Sequence, residues 1–352
     1  MAVQKIGIGE FLQNNNLGIV IDVRSPLEFE HAHIPGAYSL PLFDNDQRAI
    51  VGPTYKKQSR EKAIKIALPM FGDKMLSMVN QVEKWVHDFE KNNNGNKPSI
   101  FVHCWRGGMR SAAVAWLLDL YGFKVIQIIG GYKAYRNWVI EQFSIPLNIK
   151  VIGGYTGSGK TEILQTLQSK GAQIIDLENL ANHKGSAFGA IGQAPQPSQE
   201  MFENLLGKCI ANIHDKNKTV WIEDESQRIG TVMVPTTFFN LMRSSICYFI
   251  NIPFNERLNF IIAQYGIFDK ASLIAATERI QKRLGGLETK NAIQFIENGE
   301  IKLAFEILLK YYDKWYDKFS KATVTATLQI INLEASLVNE TKNAQMILAL
   351  EK

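Results

Sequence analysis

Two short stretches carry side chains whose types and spacing suit chemistry on anions. The first is His103-Cys104-Trp-Arg106-Gly107-Gly108-Met109-Arg110. A cysteine just ahead of a helix sits among unpaired backbone N–H groups at the positive end of the helix dipole. Both favour the thiolate, which is the nucleophile. Gly107 and Gly108 let the backbone curl so that the amides from Arg106 to Met109 form an anion cradle. Arg106 and Arg110 add charge, and Arg110 can grip two oxygens at once. Cys209 and Cys247 lie in apolar runs and are expected to be inert core thiols.

The second stretch is Gly154-Tyr-Thr156-Gly157-Ser158-Gly159-Lys160-Thr161, which matches G-x4-G-K-[ST]. The glycines allow backbone amides to approach phosphate oxygens, Lys160 neutralises them, and Thr161 can help hold magnesium. Downstream, Val220-Trp-Ile-Glu223-Asp224-Glu225-Ser226 reads as a strand ending in acids. Glu223 and Asp224 are candidates to hold a metal through water, with solvated acids at a strand end as the plainer alternative. Asp176 and Glu178 are similar candidates. Asn182-His183-Lys184-Gly185-Ser186 and Gln196-Pro-Ser-Gln199 are polar loops of the kind that often carries substrate contacts.

Strand-and-helix alternation must position these loops. Residues 18–23, 99–103 and 124–129 are short apolar, β-branched runs, and 111–120 is a helix stopped at Gly122. Strand, helix, strand implies a parallel sheet, with the cysteine loop at a strand end and a helix start. Residues 91–98 are a polar connector. After a boundary at 143–148 a second alternation begins. Its strands are 150–153, 172–177, 219–223 and 246–253, its first helix is 160–170, and the pattern turns helical from Ala271. The glycine loop again follows a strand and opens a helix, the context that marks a phosphate-binding P-loop. The expected domains are residues 1–143 and 144–352.

Composition bounds the rest. The 352 residues suit about two domains. With 46% hydrophobic and 21% charged residues the chain is ordinary for a globular protein. No apolar run reaches the roughly 18 residues of a membrane helix, so no membrane partner is expected. Three widely spaced cysteines argue against a disulfide framework or a cysteine zinc site. Together with the absence of a signal pattern in residues 1–10, they lead to the expectation of a cytoplasmic protein. A net charge of +5 permits nucleic-acid binding without demanding it. Lys310, Lys314, Lys318 and Lys321 recur at helical spacing beside Tyr311, Tyr312, Trp315, Tyr316 and Phe319. The lysines are candidates to meet nucleic-acid phosphates, although an aromatic stripe of this period is more often core and its lysines a solvated face.

Asp22-Val-Arg24-Ser-Pro-Leu-Glu28, His33-Ile-Pro-Gly-Ala37 and the cysteine loop together resemble the rhodanese family, whose cysteine carries sulfur as a persulfide. The usual rhodanese loop is one residue shorter than the Cys104-to-Arg110 spacing seen here. The longer spacing is shared with Cys-dependent phosphatases and is sized for a tetrahedral phosphorus centre.

Further phrases sharpen the resemblance: Arg48-Ala-Ile-Val-Gly52-Pro-Thr-Tyr55-Lys56, Asp176-Leu-Glu178, Glu223-Asp-Glu225-Ser226 and Arg283-Leu-Gly-Gly286. In this order, with the P-loop, the chain looks like the tRNA 2-selenouridine synthase family over nearly its whole length. Lys184 stands where the family usually has Arg, and Gln227 interrupts a common Ser-Arg pair. The resemblance implies an α/β fold: an N-terminal rhodanese-like domain, then a P-loop NTPase-like domain with a helical C-terminal region.

It implies a tRNA-modifying transferase that converts wobble 2-thiouridine of the tRNAs for Lys, Glu and Gln to 2-selenouridine. Selenium arrives as selenophosphate, and an S-geranyl intermediate is made with geranyl diphosphate. Neither donor is a tightly bound cofactor, magnesium is a candidate helper, and a selenophosphate-supplying enzyme is a candidate partner.

In this frame Cys104 and Arg110 are catalytic, and Cys104 either binds selenophosphate or carries selenium covalently. Arg106, Gly107, Gly108 and Met109 hold selenophosphate, and Gly154, Thr156, Gly157, Ser158, Gly159, Lys160 and Thr161 hold diphosphate.

Three alternatives explain less. A P-loop small-molecule kinase, favoured by Asn251-Ile-Pro253-Phe-Asn-Glu-Arg257, leaves the cysteine loop as an accessory rhodanese or phosphatase-like part. A Cys-dependent phosphatase leaves the P-loop idle. A regulatory nucleotide switch with a dead rhodanese predicts a lost cysteine, and Cys104 is present.

Overall fold

The computed structural model describes residues 3–14, 18–323 and 329–350, with 318–323 described as backbone alone. The chain divides into two compact units, Met1–Glu141 and Gln142–Lys352.

In the first unit five strands form one parallel sheet. They are β1 (Gln4–Ile6), β2 (Gly18–Asp22), β3 (Tyr38–Ser39), β4 (Ser99–His103) and β5 (Val125–Ile128), in the order β1-β5-β4-β2-β3. The near-continuous apolar runs of β2, β4 and β5 fit strands covered on both faces. Central β4 is flanked by β2 and β5, so the chain leaving β4 is bracketed by the chain leaving its neighbours. Three helices, Asn45–Lys57, Arg60–Gly72 and Met75–Asn92, fill the stretch between β3 and β4. The helix after β4 runs Met109–Tyr121 and stops at Gly122, whose φ of 112° no β-carbon tolerates cheaply.

The second unit holds another five-stranded parallel sheet: β6 (Ile149–Gly153), β7 (Gln173–Ile175), β8 (Val220–Glu223), β11 (Ile246–Asn251) and β12 (Ile330–Glu334), in the order β12-β11-β6-β8-β7. A small antiparallel hairpin, β9 (Arg228–Ile229) and β10 (Val232–Met233), stands apart. Strand β6 is central, with β8 on one side and β11 on the other. The chain after Ala271 is mostly helical, as expected, and adds one strand that the sequence reading did not mark: β12, which pairs in parallel with β11. As an edge strand it is mostly uncovered, only Leu333 being buried, so its sequence lacks the run of buried apolar residues that marks β6 and β8. Between β11 and β12 five helices, from Phe254–Tyr265 to Ile301–Thr323, build a core around Phe188, Leu258, Leu273, Ile296 and Leu308.

Candidate active sites

In open parallel sheets ligands bind at the C-terminal ends of the strands. Both glycine-rich loops lie there, each after the central strand of its sheet.

Cys104 directly follows β4. Its side chain is 4% exposed and packs in the first unit's core, with Sγ 3.4 Å from the Ser111 hydroxyl. The thiol is therefore at the floor of the loop, beneath exposed Trp105, Gly108 and Met109. Buried Gln127, on β5, donates to the carbonyls of Gly107 at 2.9 Å and Gly108 at 3.2 Å, and to Ser111 Oγ at 2.9 Å. In a trans peptide the N–H points opposite its carbonyl. Anchoring those two carbonyls aims the amides of Gly108 and Met109 away from Gln127, at the start of the following helix. With Gln127 donating to it, Ser111 can turn its own hydrogen to the Gly108 carbonyl, 3.0 Å away, or to the sulfur. A thiolate would win that hydrogen, because charge-assisted bonds are the stronger.

The turn after β5 braces the loop. Gly131, at φ 55°, donates no side chain because a β-carbon there would lie 2.2 Å from the Cys104 carbonyl oxygen. The amides of Tyr132 and Lys133 bond the carbonyls of Cys104 and Trp105, both at 2.9 Å. Gln127, Gly131 and Ser111 were not singled out from sequence. Gln127 lies on β5 and Gly131 just after it, the strand that pairs with β4, whereas Ser111 lies in the first turn of the helix after the cysteine loop.

Arg110 is not a free hand for an anion. Its Nη1 donates to Glu28 Oε2 at 2.8 Å, and Arg48 Nε reaches the same oxygen at 3.4 Å. Burial acts to raise the Glu28 carboxyl, but Arg110, the Ser25 amide and Arg48 outweigh it and hold it at about 2. Two guanidiniums around one carboxylate leave a local charge of +1. Arg106 lies elsewhere, beside a surface hollow with Gly130, Lys133, Ala134 and Asn137. Asp22 and Arg24 are structural. They pair in the buried interior next to His103, and Arg24 also donates to the Ala32 carbonyl at 2.7 Å.

In the second unit Gly154, Gly157 and Gly159 adopt φ of 156°, 82° and 73°, which wind residues 154–159 into a loop ahead of helix Lys160–Ser169. Lys160 Nζ folds back to the Gly154 carbonyl at 3.1 Å. Burial acts to lower the Lys160 ammonium, but Tyr316, Glu225, Glu178 and Asp224 together push it above its usual range, so it stays charged. Thr161 Oγ1 donates to Glu178 Oε2 at 2.8 Å.

The acids sort by position. Glu178, Asp224 and Glu225 line the cavity at the P-loop. Asp176 caps the helix Leu177–Ala181, accepting from the Asn179 amide at 2.8 Å, and Glu223 is wholly buried, accepting from the Glu178 amide at 2.8 Å. These two shape the site from behind rather than lining it. Asp224 is held by Arg243. Glu178 and Glu225 are hydrogen-bonded to each other, which requires a proton between them; burial raises Glu225 well above the usual carboxylate range, and Glu178 beside it raises it further.

The P-loop opens onto a cavity of about 470 Å³. One end is polar: Thr156 to Thr161, Lys184, Glu178 and Glu225. The remainder is walled by Phe188, Phe249, Ile261, Phe305, Leu309 and their neighbours. Tyr312, Trp315 and Tyr316 also line it, so part of the aromatic stripe faces a cavity rather than packed core. Trp315 is 43% exposed, with the Arg283 guanidinium 5.4 Å from its ring centre. Of the basic candidates, Lys310 is exposed and paired with Glu306, Lys314 is exposed, and the side chain of Lys318 lies outside the described residues. Gln196 and Ser198 act locally, Gln196 tying the β9–β10 turn and Ser198 capping Gln199–Ala211. The cysteines are all free; burial pushes Cys209 up to about 11 and Cys247 higher still.

A thiol-bearing loop on one parallel sheet and a P-loop on another define a rhodanese-like α/β unit followed by a P-loop NTPase-like α/β unit. Family models agree. A rhodanese-like domain matches residues 9–137, and the tRNA 2-selenouridine synthase AAA domain matches 147–332. A tRNA 2-selenouridine synthase of Hydrogenovibrio crunogenus is 34% identical, over 85% of this chain and 88% of the relative. One of Bdellovibrio bacteriovorus is 35% identical, over 83% and 86%. The chain belongs to the tRNA 2-selenouridine synthase family.

Proposed function

We propose that this protein replaces sulfur by selenium at C2 of the wobble 2-thiouridine in the tRNAs for Lys, Glu and Gln, in two steps. In the first, the thiocarbonyl sulfur attacks the C1 carbon of geranyl diphosphate. The C–O bond breaks with its electron pair leaving on diphosphate, the S–C bond forms, and the base gives up its N3 proton. In the second, the selenium of selenophosphate adds at C2, the C2–S bond breaks and the geranyl thiolate departs and takes up a proton, and water then cleaves the P–Se bond, releasing phosphate and leaving 2-selenouridine. Alkylation matters because a thiocarbonyl sulfur leaves poorly, whereas a thioether sulfur leaves as a thiol.

The observation that carries this reading is the cavity: a phosphate-binding loop with a charged lysine at one end and an apolar hall behind it. A diphosphate ester of a hydrocarbon has that polarity. The kinase alternative leaves the hall without a purpose. Lys160 and the loop amides would stabilise negative charge as diphosphate departs, the electrostatic means by which such loops act on nucleotides. Thr161 and Glu178, 2.8 Å apart, are the residues that would hold magnesium, which would supply further neutralisation of the diphosphate.

For the selenium step the support is the loop around Cys104. Its amides, the Ser111 hydroxyl and the net positive Arg48–Glu28–Arg110 cluster suit an anionic donor. Selenophosphate and geranyl diphosphate would come and go as substrates, the former from a supplying enzyme in the cytoplasm. The test is mass analysis of nucleosides from thiolated tRNA incubated with the enzyme and both donors, each omitted in turn. Leaving out selenophosphate should accumulate S-geranyl-thiouridine, and leaving out geranyl diphosphate should stop selenouridine. Selenouridine at an undiminished rate without geranyl diphosphate overturns the two-step scheme.

A further inference from the structure

We propose that Trp315 is the platform on which the target base stacks as it enters the P-loop cavity, with the basic segment Arg279–Arg283 beside it meeting the RNA backbone. This rests on the reading that the wobble thiouridine is alkylated at the P-loop. Among the described residues three tryptophans are exposed, Trp105, Trp116 and Trp315, and of these Trp315 alone lines the cavity. Its place on helix Ile301–Thr323 explains both properties. Tyr312, Trp315 and Tyr316 share one face of that helix, at spacings of three and four residues. Tyr316 reaches the P-loop, with Lys160 Nζ 5.7 Å from its ring centre. Tyr312 accepts from the Ala187 amide at 3.1 Å. Trp315 stands at the edge of the face, next to exposed Lys314, so its ring runs from the cavity to solvent.

The indole is held in place. Its N–H and the Arg283 guanidinium both donate to the Tyr311 hydroxyl, and Arg283 lies 5.4 Å from the ring centre. A ring already fixed loses little freedom when a ligand stacks on it. A base offers a flat π-face that matches an indole, whichever base it is. The attacking sulfur has to come to the donor carbon beside the diphosphate, so the base passes the rim where Trp315 stands. Charge at that rim suits RNA. Residues 278–290 expose Arg279, Lys282, Arg283 and Lys290 against Glu278 and Glu288, and Lys314 adds another exposed cation. The acids of the neighbouring helix are already engaged, Asp313 with Arg257 and Asp317 with the Tyr155 hydroxyl. Backbone contacts by such cations fix register, and a stacked base fixes how far it enters.

The test uses two full-length tRNAs for Lys, identical except that the wobble position carries either 2-thiouridine or an abasic ribose, and compares their binding to the full-length protein by fluorescence anisotropy. Wild type should hold the thiouridine tRNA roughly tenfold or more tighter than the abasic one, the range for one stacked base. Trp315→Ala should remove most of that difference by weakening the thiouridine tRNA alone, and Trp315→Phe, which keeps a π-face, should retain most of it. The abasic tRNA serves as the internal control for folding, since its affinity should be the same for wild type and both variants. Equal weakening of both tRNAs by Trp315→Ala, or no weakening of either, overturns the proposal. So does a raised KM for geranyl diphosphate with tRNA affinity unchanged, which would make Trp315 a wall of the prenyl hall. A wild type that binds the thiouridine tRNA but transfers no geranyl group instead overturns the reading of the P-loop on which the proposal rests.

Discussion

Arg110 crosses 82 residues of sequence to hold Glu28 at 2.8 Å, so the arginine of the cysteine loop is met by a carboxylate from the helix that follows β2. The pair has a definite pH signature. The Glu28 carboxyl is held at about 2 against an ordinary 4.5, so its contribution is complete above pH 4.5 and disappears as pH falls towards 2. Glu28→Gln should lower stability at pH 7 by about 1–2 kcal/mol, with the gap to wild type closing between pH 4.5 and 2. Urea unfolding at pH 7 and pH 3 measures both; an equal gap at the two values would show that Glu28 is not ionised against Arg110.

Cys104→Ser should leave geranylated tRNA as the end product and abolish selenouridine, because the P-loop unit retains its own chemistry. Ser111→Ala removes the hydroxyl 3.4 Å from the sulfur and should slow selenation about 10-fold through weaker thiolate stabilisation, while geranylation is unchanged. Product masses from the same incubation separate the two steps. Normal selenation by Cys104→Ser would remove the cysteine from the mechanism.

Lys160→Ala should cost geranyl transfer roughly 10²–10³-fold, the range for removing one preorganised group that stabilises developing charge. Supplying tRNA already carrying S-geranyl-thiouridine should restore selenation by this variant. Failure of that rescue would mean Lys160 serves both steps.

Glu225 behaves oppositely to Glu28. Burial and Glu178 hold its pKa well up, so the native state keeps a proton that the unfolded chain releases. Stability then falls as pH rises above the ordinary carboxylate value of 4.5. Glu225→Gln carries no such proton, and its melting temperature should decline less than that of wild type between pH 5 and 8. Parallel declines would place the proton elsewhere in the cluster.

Gly131→Ala should destabilise the protein by about 2–3 kcal/mol and suppress selenation, since the added methyl meets the Cys104 carbonyl at 2.2 Å with φ already at 55°. Chemical unfolding and nucleoside analysis report the two effects. A neutral outcome would show the cysteine loop to be freer than its hydrogen bonds imply.

The local facts were legible in the sequence. Residues 103–110 and 154–161 announce anion-binding loops because their glycines free the backbone amides and their lysine and arginines add charge, and the short apolar, β-branched runs before them read as buried strands. What the fold alone decided is which distant groups complete each loop. Strand order sets Gln127 and Gly131 against the Cys104 loop, an ion pair between separate helices takes Arg110, and helices from the stretch between β11 and β12 wall an apolar hall beside the P-loop with residues that read as ordinary core. Asp176 and Glu178 lie two residues apart with like chemistry, yet one caps a helix and the other faces Thr161. The difference is direction: spacing along a chain specifies a residue's own backbone geometry, whereas the neighbour its side chain meets depends on contacts between segments remote in sequence.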